Sequence, residues 1–159
     1  MTPVMLANFR ARKYEVNLVI DTSGYTAGDV LSDRVAITLD PAGKPVSGTI
    51  TGITLLDKDD EGALLDLVVL DADVSLGTIN GAPNISDANS EKIVAVIPVT
   101  SYNDVGGAKV ARPSFDPIDF ECADGVLRFG AINGTGTPTY AAASDLRLKV
   151  MIQLHNLNK

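Results

Sequence analysis

The stretch Ser144–His155, SDLRLKVMIQLH, puts Leu146, Leu148, Val150, Ile152 and Leu154 on one phase and Arg147, Lys149, Met151, Gln153 and His155 on the other. A period of two belongs to an extended chain, whose successive side chains point to opposite faces. Such a segment buries its apolar stripe only as one wall of a sheet-based core. The turn-rich run NGTGTPTY stands before it, supplying the residues that chain reversals use.

The same alternation recurs upstream. In YEVNLVID, Tyr14, Val16, Leu18 and Ile20 alternate with Glu15, Asn17, Val19 and Asp21, and RVAITLD sets Val35, Ile37 and Leu39 in phase. The long segment VSGTITGITLLDK changes phase between Ile50 and Ile53, which predicts a β-bulge and a bend at Gly52. KDDEG separates GITLLD from ALLDLVVLD, and the spacing predicts an antiparallel hairpin with a solvated acidic tip. ALLDLVVLD is apolar on both phases, as suits a central strand covered on both faces. Residues 77–91 are turn-rich and predict a surface excursion with at most one helical turn, capped by Ser86 or Asp87. Pro98 in KIVAVIPVTSY points to a sheet edge or bulge, and VGGAKVARP, PIDFEC and GVLRFGAI supply shorter strands. The reading is all-β: a single-domain β-sandwich or jelly-roll-like barrel of about nine mostly antiparallel strands over residues 14–159, after a basic N-terminal arm of residues 1–13.

At 159 residues the chain forms one domain that buries roughly 68–70% of its unfolded surface, enough for a core without staples. Cys122 is the only cysteine, so no intrachain disulfide forms, and its strand-end position suits a small apolar residue. The N-terminus MTPVMLANFRARKYEV carries its basic residues after its apolar ones, and no run approaches the ~20 apolar residues that cross a bilayer. No export signal and no membrane span are expected. Net charge is -7 but unevenly spread: residues 54–91 hold nine acids against Lys58 alone, while residues 1–13 carry Arg10, Arg12 and Lys13 with no acid. Opposite poles favour ordered contacts with neighbours. Nucleic acid is disfavoured, because phosphate binding needs clustered cations and few acids.

Four patterns resemble chemistry and fall short of it. VIDTSG at Val19–Gly24 has Ser23 where the Asp-Thr-Gly loop of aspartic proteases has glycine. DKDDEG at Asp57–Gly62 starts like a calcium loop, but Val68 stands where its bidentate glutamate belongs. NGTGTP at Asn133–Pro138 lacks the lysine and helix of a phosphate cradle. His155, the lone histidine, sits on the polar phase of the last strand, where a structural role is expected. No catalytic residue, cofactor or metal ligand is expected.

YTAGDVLSDRVAI, ITLLDKDDEGALLDLVVLDAD, SEKIVAVIPVTSYNDVGGAKVA and GTPTYAAASDLRLKVMIQL follow one another in this order. The set resembles a group of small tailed-bacteriophage virion proteins of the capsid decoration or cement kind, over Tyr25 to about Leu154. The resemblance implies a virion protein assembled in the host cytoplasm, probing no substrate and forming a homo-oligomer on the particle. Its partners would be the major capsid protein or other virion proteins. On that reading Arg10, Arg12 and Lys13 dock onto an acidic neighbour, while Asp57, Asp59, Asp60 and Glu61 face solvent or a basic lattice residue. A tail, head-to-tail connector or fibre component could use the same fold. A carbohydrate-binding module is a third reading, disfavoured by the absence of Trp and by only four Tyr and four Phe.

Overall fold

The computed structural model describes residues 11–155. Ten strands and one short helix follow in the order β1 (Ala11–Asn17), β2 (Val30–Thr38), β3 (Val46–Asp57), β4 (Leu64–Leu70), α1 (Asp87–Ser90), β5 (Ile93–Val99), β6 (Asn103–Asp104), β7 (Lys109–Ala111), β8 (Ile118–Cys122), β9 (Val126–Thr135) and β10 (Leu146–Leu154). They form two antiparallel sheets packed face to face. One has the order β1-β10-β3-β7-β6, with β8 also on β3; the other runs β2-β9-β4-β5. The architecture is a β-sandwich and not a closed barrel.

The decisive segment behaves as its period requires. Leu146, Leu148, Val150 and Ile152 of β10 are buried against the facing sheet, while Arg147, Lys149, Met151 and Gln153 look outward between β1 and β3. The phase change in β3 is a bulge: Met151 pairs Gly52 but Ile152 pairs Ile50, leaving Thr51 over. Beyond the bulge, β3 shares its other edge between two short strands, β7 along Leu55–Asp57 and β8 along Val46–Ile50. The main core, between the sheets, centres on Phe129, Leu55, Leu67, Ile53 and Val150. β4 lies inside its sheet, and Pro98 sits in β5, an edge strand, where a missing N–H is tolerated.

Two expectations need correction. β3 and β4 do not form a hairpin: β3 bonds β10, β7 and β8, whereas β4 bonds β9 and β5, so residues 58–63 carry the chain from one sheet to the other. Alternation states which side chains face inward; it does not name the strand that supplies the hydrogen bonds. Second, β1 begins at Ala11 and pairs β10 from its first residue, so Arg12 and Lys13 belong to the sheet and not to an arm; Arg10 lies outside the described residues. Residues 77–91 are the surface excursion expected, with no buried side chain, and the segment just before them, residues 71–76, adds a contact the sequence did not point to. Leu76, 2% exposed, joins Val30, Val68 and Leu70 in a second small core on the outer face of the four-stranded sheet. Gly130 makes room for it, since a Cβ there would fall 2.4 Å from Leu76 Cδ1.

Polar contacts pin this strap. Asp33 accepts hydrogen bonds from Leu76 N at 2.8 Å and Ser75 Oγ at 2.9 Å, and Arg34 bonds Asp73. Arg128 reaches Asp124 at 2.7 Å. Hydrogen bonds from Arg34 and Arg128 hold the Asp73 and Asp124 carboxyls below their usual range. Carboxyls depressed in this way add stability at neutral pH that is lost as pH falls through their lowered values. The expected helical turn is α1, with Ser86 as N-cap accepting from Asn89 N at 3.2 Å.

Candidate interaction surface

Four segments distant in sequence meet at one end of the sandwich. Tyr25 is 1% exposed; its hydroxyl donates to Leu31 O at 2.9 Å and accepts from Asp21 N at 2.6 Å. Its own N–H bonds Pro138 O at 3.0 Å, and its ring meets Tyr140 edge-on with centroids 6.3 Å apart. Asn133, fully buried, donates through Nδ2 to Thr26 O and Gly136 O at 2.9 and 3.0 Å. These contacts tie the YTAGD turn to the GTPTY loop. Asp57 is also fully buried, and its carboxylate accepts from Asp59 N at 3.0 Å and Gly62 N at 2.7 Å. Asp59 accepts from Ala141 N at 2.8 Å. Lys109 Nζ donates to Asp60 O at 2.7 Å, and Tyr102 OH to Ala63 O at 2.7 Å.

The acidic turn is therefore a structural crossing. Asp57 cannot face solvent or a neighbour, Asp59 holds the chain before β10, and Asp60, at φ 61°, lies beside Lys109. Only Glu61 is freely exposed. Among the described residues no group of three or more His, Cys, Asp or Glu is arranged to hold a metal ion. Burial, with the Asp57 charge behind it, raises the Tyr102 and Tyr140 hydroxyls above the usual phenol range. The two buried tyrosines at this end differ in one respect. Among the described residues the Tyr140 hydroxyl has no hydrogen-bond partner, whereas the Tyr25 hydroxyl has two. Urea unfolding is expected to show Tyr25→Phe losing about 1–2 kcal/mol and Tyr140→Phe neutral or more stable, because an unpartnered buried hydroxyl only carries its desolvation cost. Equal losses in both variants would mean that a water supplies the missing partner.

The other patterns resolve into local structure. Asp21 accepts from Ser23 N at 3.1 Å and from Asn80 Nδ2 at 3.3 Å, and these bonds hold its carboxyl below the usual range. Cys122 is fully buried, and burial pushes its thiol up to about 12. His155 places Nε2 2.9 Å from Thr49 Oγ1, which in turn donates to Asp119 at 2.5 Å. A hydroxyl has one proton, and this one goes to the carboxylate, so Nε2 is the donor. The imidazole is thus not the base for that hydroxyl. A cleft of about 270 Å³ lies between Gly62–Leu64 and Thr135–Pro138, with Glu61 its one ionisable side chain.

The two outer faces of the sandwich differ. The strap 71–91 crosses the face of the four-stranded sheet, but the six-stranded sheet leaves its outward side chains half-buried or exposed. That open face has a neutral centre of Leu56, Thr54, Thr51 and Met151. Beside it stand Lys13, Arg112, Arg147 and Lys149, with the Glu15 carboxylate among them, which pairs Arg147 at 2.9 Å and Lys13 at 3.3 Å. The Arg112 guanidinium lies over Gly52 next to Met151. Asp119 and Glu121 of β8 mark the far, acidic end of the face. Lys13, Arg147 and Lys149 were legible as basic in sequence; they and Arg112 become neighbours only through the order β1-β10-β3-β7. Arg12 pairs Ile152, on the opposite phase from Lys13, and its side chain is exposed at the sheet margin.

No family model, curated protein or solved structure matches this chain.

Proposed function

We propose that the protein is a structural component of a tailed-bacteriophage virion, a decoration or cement protein that docks on the head lattice through the open face of its six-stranded sheet. The observation that carries this reading is the contrast between the faces. One is crossed by the strap 71–91, while the other is open, with a neutral centre, basic residues on β1, β10 and the end of β7, and Asp119 and Glu121 at its far end. A neutral centre with a charged margin is the anatomy of a protein-protein interface, and the margin selects an acidic partner surface. The resemblance supports the same reading, since its four segments are in mutual contact at the crossing end and build the fold. The aromatic residues that a sugar platform would present lie mostly inside: Tyr25, Tyr140, Phe120 and Phe129 are buried.

Lys149 and Arg112 have no carboxylate within 4 Å among the described residues, so reversing them leaves the internal pairs intact. The double variant Lys149→Glu, Arg112→Glu is expected to bind purified particles about tenfold more weakly or worse. Wild-type occupancy should fall with rising salt, as expected for exposed charges. Occupancy that is unchanged by both the variant and salt would remove this face from the mechanism.

A further inference from the structure

We infer that the free edge of β5 is a self-association site, on which a second copy of this chain adds its own β5 antiparallel about a twofold axis. This inference stands apart from the virion reading, because it concerns the purified chain alone. β5 ends the order β2-β9-β4-β5 and bonds β4 on one side. Among the described residues, no other hydrogen bond reaches Val94–Pro98. An edge strand of this kind presents a row of unpaired N–H and C=O groups, a template for another strand.

The sequence of the edge selects the occupant. IVAVIPV contains no charged or polar side chain, whereas the edge strands β1 and β2 carry Arg12, Lys13 and Glu15, and Asp33 and Arg34. Two copies of a chain with charge -7 repel over most of their surface, and repulsion is least along an uncharged strip. A twofold contact must also be self-complementary. Apolar residues set against the same apolar residues satisfy that without any matched charge. Val96, 51% exposed, is the most exposed large apolar side chain of β5.

Two irregularities limit the pairing and so define it. The partner of Val69 is Ala95 but that of Leu70 is Ile93, which leaves Val94 as a bulge. At the other end Pro98 has no N–H to give. Regular pairing is confined to Ala95–Ile97, centred on Val96, and a pairing that is closed at both ends makes a dimer and not a growing sheet. So short a contact dissociates on dilution.

Sedimentation equilibrium of the full chain over a concentration series, at physiological ionic strength, is the test. Wild type is expected to show a monomer–dimer equilibrium, and Val96→Lys should weaken it by about tenfold or more with the unfolding midpoint unchanged. A short bismaleimide should join two copies of Val96→Cys. It should leave Val105→Cys, 64% exposed in wild type but away from β5, unjoined, and the buried Cys122 unreacted. A wild-type chain that stays monomeric at every concentration overturns the proposal and leaves the edge to a strand from another protein. A dimer that is insensitive to Val96→Lys and joined at position 105 overturns it in favour of a different surface.

Discussion

Asp57→Ala is expected to lower the unfolding free energy by about 2–4 kcal/mol, because the N–H groups of Asp59 and Gly62 lose a charged acceptor in a partly buried turn. The carboxylate closes the crossing that carries the chain from β3 in one sheet to β4 in the other, so the cost falls on the joint between the layers. Asp57→Asn keeps one carbonyl oxygen as acceptor and should lose about half as much. Urea denaturation checks both: the midpoints shift while the slope, which follows the surface exposed on unfolding, stays constant. A loss under about 0.5 kcal/mol for the alanine variant, the range of an ordinary surface substitution, would show that the turn is held by something else.

Leu76→Ala is expected to cost about 2–5 kcal/mol, the range for deleting a buried leucine side chain. Leu76 is the residue through which the strap 71–91 seals Val30, Val68 and Leu70 against water. If the strap were a surface loop, the same substitution would stay within about 0.5 kcal/mol. Native-state hydrogen exchange separates local from global loss. Faster exchange at Leu76 N and Asn80 N, which bond Asp33 and Val30 O, marks loosening of the strap; uniform acceleration marks the whole sandwich.

How much of this was legible before the coordinates follows from what each signal measures. Period-two alternation in β10 and the phase change at Gly52 report which way side chains point, and both appear in the structure as read. Pro98 and Ser86 report local backbone chemistry, and they too sit where that chemistry suits them. The acidic turn was misread because a polar run between two apolar strands looks the same whether the chain returns beside itself or crosses to the facing sheet. Buried Asp57 was the one clue, since it holds the phase of Ile53 and Leu55 in β3. The anchoring role of Leu76 was not legible, because it stands just ahead of the turn formers of residues 77–91 and its partner Gly130 lies more than fifty positions away. The basic cluster was legible only in part: Lys13, Arg147 and Lys149 stand out as basic in the sequence, but they and Arg112 become neighbours only once strand order is known.

Lysine labelling of the particle-bound protein against the free protein tests the central claim most directly. If the open face of the six-stranded sheet docks on the lattice, Lys13 and Lys149 are protected on the particle, while Lys44 and Lys92, exposed elsewhere on the sandwich, keep their free reactivity. Equal labelling of all four lysines in the two states, or purified particles that do not contain the polypeptide, would contradict it.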